Sequence, residues 1–224
     1  MALKALIFDV DGTLAETEEA HRQAFNATFA AHGLDWCWSV ADYTRLLKVT
    51  GGKERMAAHR AAVGHGPDDA TIAAMHKEKT AAYAAILARG GLQPRPGVLR
   101  LVEQARAAGL RLAIATTTSP GNVEALSACL WGKPADQVFD VIAAGDMVQA
   151  KKPAPDVYLL ALERLGLPPG QALAFEDTLN GIRAAQGAGL KVVATPSLYS
   201  ADEDHAAADL CLPDLSGFAL SDAP

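Results

Sequence analysis

Two aspartates one residue apart follow the first apolar run of the chain. The segment reads Leu6-Ile7-Phe8-Asp9-Val10-Asp11-Gly12-Thr13. Residues two apart on an extended chain project to the same side, so Asp9 and Asp11 can converge on one point. Two carboxylates held that close require a cation between them or a proton on one of them. The pattern indicates a reactive site at a strand tip, and a solvated Asp-Gly turn is the alternative.

Polar residues also follow later apolar runs. They are Thr116, Lys152 and the pair Glu176-Asp177. Ligands of open parallel sheets bind at the carboxyl ends of the strands, so we expect these residues to share one rim with Asp9. Taken singly, each has a structural alternative. These are an ordinary loop for Thr116, a helix entry for Lys152, and a capping cluster for Glu176-Asp177.

Together these residues suit phosphoryl transfer. The Asp9 carboxylate can attack phosphorus and form an acyl phosphate that water then hydrolyses. Lys152 can offset the repulsion between the two anions, and Thr116 and Thr117 can donate hydrogen bonds to a phosphate oxygen. Asp11 can give a proton to a sugar alkoxide leaving group and later take one from the hydrolytic water.

The same rim holds the oxygen ligands that Mg²⁺ prefers. Asp9, Asp11 and Asp177 offer carboxylates, with Glu176 in support. Mg²⁺ keeps several waters and needs only a few carboxylates when it shares a site with phosphate. We therefore expect Mg²⁺ as the cofactor.

Strands that alternate with helices must position these residues. Strands are predicted over 3–8, 110–115, 138–143, 172–175, 191–194 and 209–212, and helices over 98–108, 123–130, 155–165 and 179–188. Apolar strands alternating with helices imply a parallel sheet that is covered on both faces. The predicted fold is α/β, with a Rossmann-like parallel-sheet core in three α/β/α layers.

No strand pattern lies between the two aspartates and Gly90-Gly91. A helix is expected to begin after Thr17, which can cap it, and to stop at Gly33. Further helices are predicted over 42–47, 53–63 and 69–88. We therefore predict a catalytic core of residues 1–15 and 93–224, with an inserted all-helical cap domain of residues 16–92.

Composition excludes some classes of function. A net charge of −6 over 224 residues argues against a nucleic-acid or acidic-membrane surface. Cys37, Cys129 and Cys211 have no paired spacing, which indicates reduced thiols. No apolar run reaches the ~20 residues of a membrane span. We expect a cytoplasmic protein that binds neither nucleic acid nor membrane; a monomer is favoured, although composition does not set the oligomeric state.

The chain resembles the haloacid dehalogenase-like hydrolase superfamily over its whole length. The four motifs of that superfamily match Asp9-Val10-Asp11-Gly12-Thr13, Thr116, Lys152 and Glu176-Asp177. The resemblance implies a Rossmann-like core, Mg²⁺, an aspartyl-phosphate on Asp9 and a helical cap. Dehalogenases of that superfamily lack the second aspartate, which stands here as Asp11, so the resemblance favours a phosphatase.

A charged cluster in the predicted cap points to a second phosphate. It reads Thr50-Gly51-Gly52-Lys53-Glu54-Arg55 and lies where a loop enters a helix. Free backbone N–H groups at a helix start and two cations make a plausible anion site, and a glycine turn before a solvated helix is the alternative. If the cluster is an anion site, the substrate carries one phosphate at Asp9 and another under the cap.

Two pairs of residues one helical turn apart are further candidates for substrate contact. Glu18 and His21 lie near the exit from the catalytic loop, and His76 and Lys79 lie on the last predicted cap helix. Glu18 as a first-turn acid, and a solvated His-Lys-Glu-Lys face around His76, are the structural alternatives.

Finer details are similar to the CbbY-like subgroup of the superfamily. They are Leu14-Ala15-Glu16-Thr17-Glu18-Glu19 with His21, the loop 50–55, Thr116-Thr117-Thr118-Ser119 with Asn122, and Ala143-Ala144-Gly145-Asp146-Met147. The subgroup implies removal of the 1-phosphate of xylulose 1,5-bisphosphate, an inhibitor that Rubisco makes in error. By the same resemblance Glu18, residues 51–55, His76, Lys79 and the loop with Thr116, Thr117, Ser119 and Asn122 contact this small-molecule sugar phosphate.

Other functions remain open at this stage. A phosphoglycolate phosphatase or another sugar-phosphate phosphatase would share the motifs. A phosphomutase similar to β-phosphoglucomutase would return the phosphoryl group to the sugar, and a non-catalytic phosphosugar-binding regulator would keep the fold without turnover.

Overall fold

Six strands form one parallel sheet in the computed structural model, which describes residues 2–224. The strands are β1 (Ala5–Phe8), β2 (Arg111–Thr116), β3 (Val141–Ala144), β4 (Ala172–Glu176), β5 (Lys191–Ala194) and β6 (Leu210–Cys211). Their order in the sheet is β3-β2-β1-β4-β5-β6. The first strand therefore lies in the middle, and its carboxyl end faces the ends of its neighbours.

Nine α-helices are described over the same residues. They are α1 (Glu18–Ala31), α2 (Val40–Leu46), α3 (Gly52–Val63), α4 (Asp69–Ala88), α5 (Val98–Ala107), α6 (Pro120–Trp131), α7 (Ala135–Val138), α8 (Asp156–Leu165) and α9 (Leu179–Gly187). None of the helices described is both long and apolar enough to cross a bilayer.

Alternating residues of each strand face opposite layers of helices. Leu6 and Phe8 of β1 pack in one apolar cluster with α5 and α6. Ala5 and Ile7 pack in another with α8 and α9. This period of two buries both faces of the sheet, as parallel sheets require. The structure confirms the predicted three-layer α/β fold.

Helices α1 to α4 occupy the stretch between β1 and β2. This helical segment has an aromatic cluster of its own, which includes Phe25, Phe29, Trp38 and Tyr43. The chain enters and leaves the segment side by side, because Ala15 forms an antiparallel bridge with Pro94. The segment fits the predicted cap boundaries of 16 and 92, and its standing as a separate domain stays a prediction.

Three local predictions differ from the structure. The strand predicted over 138–143 begins only at Val141, because Val138 ends the short helix α7. The helix predicted from 123 begins at Pro120, since proline suits the first turn of a helix. Thr17 precedes α1 but does not cap it, because its hydroxyl donates to the Asp11 carboxylate instead.

Arg95 joins the exit of the helical segment to the edge of the sheet where the carboxyl ends of the strands lie. Its guanidinium donates to the carbonyl oxygens of Gly12, Thr195 (2.6 Å) and Pro196 (2.7 Å). The side chain is only 9% exposed. Since buried carbonyl groups need partners, this arginine holds together the loops that follow β1 and β5.

We expect Arg95→Ala to lower the free energy of unfolding by about 3 kcal/mol, because several buried carbonyls lose a charged donor. Arg95→Lys should recover part of the loss, since an ammonium lacks the planar fork. Urea unfolding followed by circular dichroism measures both changes. The exposed Arg89 is the matched control, and Arg89→Ala should cost about 0.5 kcal/mol or less. Equal losses at the two arginines would contradict this account.

Candidate active site

Asp9 and Glu176 meet at the ends of two adjacent strands and share one lysine. The register pairs Phe8 with Phe175, so the residues that follow them are neighbours. Lys152 donates to Asp9 Oδ1 at 2.7 Å and to Glu176 Oε1 at 2.5 Å. All three side chains are buried. The result is an ammonium held between two carboxylates at the floor of the site.

Burial dominates the electrostatics of this group. It raises the pKa of Asp9 to about 7, with Lys152 opposing the rise and Glu176 adding to it. Burial works against the charge on Lys152, yet Asp9 and Glu176 hold its pKa above the usual range. The lysine therefore stays protonated, as its predicted contact with a phosphate requires.

A third buried acid completes a possible metal site. One oxygen from each of Asp9, Glu176 and Asp177 lies within 4.8 Å of the others. Burial, Asp9 and Glu176 all raise the pKa of Asp177, so the group favours a nearby cation. Glu176 already accepts from Lys152 and from Tyr158, which leaves Asp9 and Asp177 as the acids best able to bind an ion. An all-oxygen set of this kind fits a hard divalent cation.

Asp11 faces the helical segment instead of the metal site. Its Oδ1 accepts from Thr17 at 2.6 Å and lies 2.9 Å from His21 Nε2. His21 Nδ1 lies 2.6 Å from Lys79 Nζ. A proton on Nε2 satisfies both contacts, because the ammonium then donates to Nδ1 and the ring donates to Asp11. The carboxylate of Asp11 is not in the group of ligand atoms, so its predicted contact with the metal stays a prediction.

This chain of contacts controls the charge on Asp11. Burial disfavours the ionised carboxyl, but His21, Thr17 and Lys79 together hold the pKa of Asp11 well below its usual range. Burial lowers the pKa of Lys79 to about 7, although Asp11 opposes the change. The network therefore connects an ionised acid, through an imidazole, to an amine that can exchange a proton near neutral pH.

Glu18 and Arg55 are joined through a buried tyrosine. Tyr43 donates to Glu18 Oε2 at 2.8 Å and accepts from Arg55 Nη1 at 2.9 Å. The guanidinium also lies over the Tyr43 ring, 5.1 Å from its centroid. Arg55 is therefore a fixed part of the cavity wall rather than a mobile surface cation. His76 lies beside this wall, and burial lowers its pKa to about 4.

Lys53 forms an ion pair across the opening between the helical segment and the sheet. Its Nζ lies 2.6 Å from Asp146 Oδ2, and Lys151 Nζ lies 2.9 Å from Asp146 Oδ1. Lys53 comes from the start of α3, and Asp146 and Lys151 lie after β3. Two cations from different parts of the chain are thus brought to one place.

The loop after β2 carries neutral polar side chains. Ser119 caps α6 by accepting from the Asn122 backbone N–H, and Asn122 Nδ2 donates to Thr118 at 2.8 Å. Asn122 Oδ1 is buried and has no partner among the residues described. Thr116, with the neighbouring Thr117, lies at the end of β2 beside Asp9 in the sheet order.

One cavity of about 600 Å³ gathers nearly all the predicted residues. Its lining includes Asp9, Asp11, Glu18, His21, Gly51, Gly52, Lys53, Glu54, Arg55, His76, Lys79, Thr116, Thr117, Ser119, Asn122, Lys152 and Asp177. Glu176 is fully buried and does not line it. Their individual roles stay predictions, but the structure brings both predicted phosphate sites into one space.

Sequence reasoning missed several residues that line this cavity. They are Asp146, Lys151, Ser197, Tyr199 and Ser200. The two serines and the tyrosine follow β5, so the rule that ligands bind at strand ends could have found them. Asp146 lies in the segment 143–147 that resembles the CbbY-like subgroup, but its contact with Lys53 was not predicted, because the two residues are 93 apart in the sequence.

Comparison with known proteins identifies the family. A family model described as a haloacid dehalogenase-like hydrolase matches residues 3–189. Protein CbbY of Rhodobacter capsulatus is 61% identical over 224 residues, which cover 100% of this chain and 99% of the relative. The crystal structure of CbbY from Rhodobacter sphaeroides in complex with phosphate has a TM-score of 0.92 and 51% identity, with 96% of each chain covered.

A mutant of that Rhodobacter sphaeroides protein in complex with xylulose 1,5-bisphosphate gives the same TM-score, identity and coverage. The chain therefore belongs to the haloacid dehalogenase-like hydrolase family, as a phosphoric monoester hydrolase of the CbbY type.

Proposed function

We propose that the chain is a Mg²⁺-dependent phosphatase that removes the 1-phosphate of xylulose 1,5-bisphosphate and releases xylulose 5-phosphate. The observation that carries the proposal is a single cavity lined by Asp9 and Lys152 and also by Lys53 and Lys151. A lysine beside Asp9 and a pair of lysines beside Asp146 suit a substrate with two phosphates. The xylulose 1,5-bisphosphate complex of the Rhodobacter sphaeroides relative supports this choice of sugar.

Asp9 is the proposed nucleophile. Its Oδ1 is held by Lys152, and Oδ2 accepts only a long contact of 3.4 Å from Thr13. One oxygen is therefore fixed while the other has freedom to approach phosphorus. Attack forms the bond from Asp9 to phosphorus as the bond to the sugar oxygen breaks, and water later hydrolyses the acyl phosphate. The Lys152 ammonium offsets the charge of the phosphoryl oxygens in both steps.

Asp11 is the proposed proton carrier. Its ionised form suits the second step, in which it takes a proton from water. An incoming phosphate adds negative charge beside Asp11 and favours its protonation, so the carboxyl can then donate to the sugar alkoxide. His21 and Lys79 hold the carboxyl in place and provide a route for the proton.

Asp9 and Asp177 would hold Mg²⁺, with Glu176 keeping Lys152 in position beside them. When bound there, the ion supplies positive charge to the phosphoryl oxygens. In the same proposal the helical segment acts as the cap over the cavity, and Lys53 with Lys151 binds the phosphate that is not transferred.

A substrate panel tests the proposal. With Mg²⁺, we expect xylulose 1,5-bisphosphate to release one equivalent of phosphate. Its kcat/KM should be higher than that of xylulose 5-phosphate or phosphoglycolate. Phosphorus NMR identifies the products. Asp9→Asn should abolish release, and removing Mg²⁺ with EDTA should do so reversibly. Preference for a monophosphate would contradict the bisphosphate assignment, and a rearranged sugar bisphosphate without free phosphate would establish a mutase.

We expect Asp11→Asn to separate the two chemical steps. With p-nitrophenyl phosphate the leaving group needs no proton, so the first turnover should still release a burst of nitrophenol. Steady-state release should fall about 10²-fold or more, because the variant cannot take a proton from water. Stopped-flow absorbance measures both phases. Asp9→Asn is the control and should show no burst; loss of the burst in Asp11→Asn would argue against the assigned role.

Lys53→Met should raise the KM for the bisphosphate about 10-fold, since a charge-assisted hydrogen bond to the second phosphate is lost. The KM for a sugar monophosphate should change much less. Initial rates of phosphate release measure both constants. Lys48 is an exposed lysine outside the cavity, and Lys48→Met is the matched control. Equal effects of Lys53→Met on the two substrates would place the second phosphate elsewhere.

A further inference from the structure

Two buried serines enclose one oxygen of Asp177. Ser197 Oγ lies 2.7 Å from Asp177 Oδ2, and Ser200 Oγ lies 3.1 Å from the same atom. Each serine is 2% exposed. The side-chain hydrogen bonds of the Asp177 carboxylate all end on Oδ2, so Oδ1 is the oxygen that remains for a metal ion.

Both hydroxyls lie within hydrogen-bond distance of the same Asp177 oxygen, and their own oxygens are 2.9 Å apart. A serine hydroxyl carries one proton. The Ser197 backbone N–H donates to Ser200 Oγ at 2.9 Å and occupies an acceptor position there. At least one hydroxyl therefore donates its proton to Oδ2, and the other donates either to Oδ2 or to the neighbouring serine. Oδ2, which both serines face, has less capacity left for a metal ion than Oδ1.

The backbone around Asp177 closes the same side. Gly12 has φ of +81°, and a Cβ at this position would lie 2.2 Å from Asp177 Oδ2 and 2.9 Å from Ser197 Oγ. The buried His205 Nε2 lies 2.7 Å from the Asp177 carbonyl oxygen and fixes the main chain. The Gly12 backbone and Ser197 therefore pack closely against the Oδ2 side of the carboxylate.

We propose that Ser197 and Ser200 make Asp177 a one-oxygen metal ligand and thereby set the selectivity of the site for Mg²⁺ over Ca²⁺. This inference rests on the metal site of the proposed function. Mg²⁺ demands six ligands at short distances, whereas Ca²⁺ accepts seven or eight and often binds both oxygens of a carboxylate. When Oδ2 is blocked, the site loses an additional ligand that would stabilise bound Ca²⁺ but not bound Mg²⁺. The serines are positioning residues, since they act through Asp177.

The test measures metal binding directly. Isothermal titration calorimetry of the metal-free protein, without substrate, gives Kd for Mg²⁺ and for Ca²⁺. We expect the double variant Ser197→Ala, Ser200→Ala to shift the ratio of the two constants about 10-fold toward Ca²⁺. Each single variant should shift it less, in the same direction, and provides the measurement if the double variant does not fold.

Ser127→Ala is the matched control. Ser127 is equally buried and donates to the Lys133 carbonyl oxygen, away from the cavity, so its loss should leave the ratio unchanged. General damage to the site would weaken the binding of both ions equally, so the ratio of the two Kd values would stay at its wild-type value. That result would overturn the inference. A wild-type protein that binds no Mg²⁺ would overturn the metal site itself. Mg²⁺ binding in the wild type with unaltered selectivity in all serine variants would refute the serine role alone.

Discussion

The burial of negative charge at the strand ends is the constraint on which the rest of the site depends. Asp9, Glu176 and Asp177 are 7%, 0% and 3% exposed, and Lys152 is the ammonium between two of them. Three carboxylates and one cation out of water leave positive charge in deficit. Hydrogen bonds cover part of it, as from Tyr158 to Glu176. The negative charge that is not offset gives the site an affinity for a cation, and for protons exchanged with a reacting substrate.

The register of the sheet determines which acids are brought together beside Lys152. Phe8 and Phe175 are partners in the ladder and stack with centroids 4.7 Å apart. Their rings fill one face of the sheet, so the alternation of the strand turns the following residues, Asp9 and Glu176, to the other side. A slip of one residue would exchange the two faces and separate the acids from Lys152. Apolar packing below the site therefore maintains the polar contacts above it.

The sequence predicted the parts of the site that follow from periodicity. Asp9, Thr116 and Asp177 each end an apolar run, and a parallel sheet gathers such ends at one edge. Periodicity did not predict the contact of the Thr17 hydroxyl. A threonine before a helix ordinarily caps that helix, but here the hydroxyl donates to Asp11. Contacts such as Ser197 to Asp177 depend on the path of a loop in three dimensions, which local patterns do not encode.

The two aspartates of the opening motif differ because they face different parts of the chain. Asp9 is held by Lys152, which follows β3, whereas Asp11 is held by His21 from α1 and reaches Lys79 of α4 through it. The proposed nucleophile, Asp9, thus depends on the sheet and its loops. The proposed proton carrier, Asp11, depends on the helical segment, because its low pKa comes from partners within that segment. In the proposed mechanism, the acid and base therefore form only when the helices dock over the sheet, whereas the nucleophile does not need that docking.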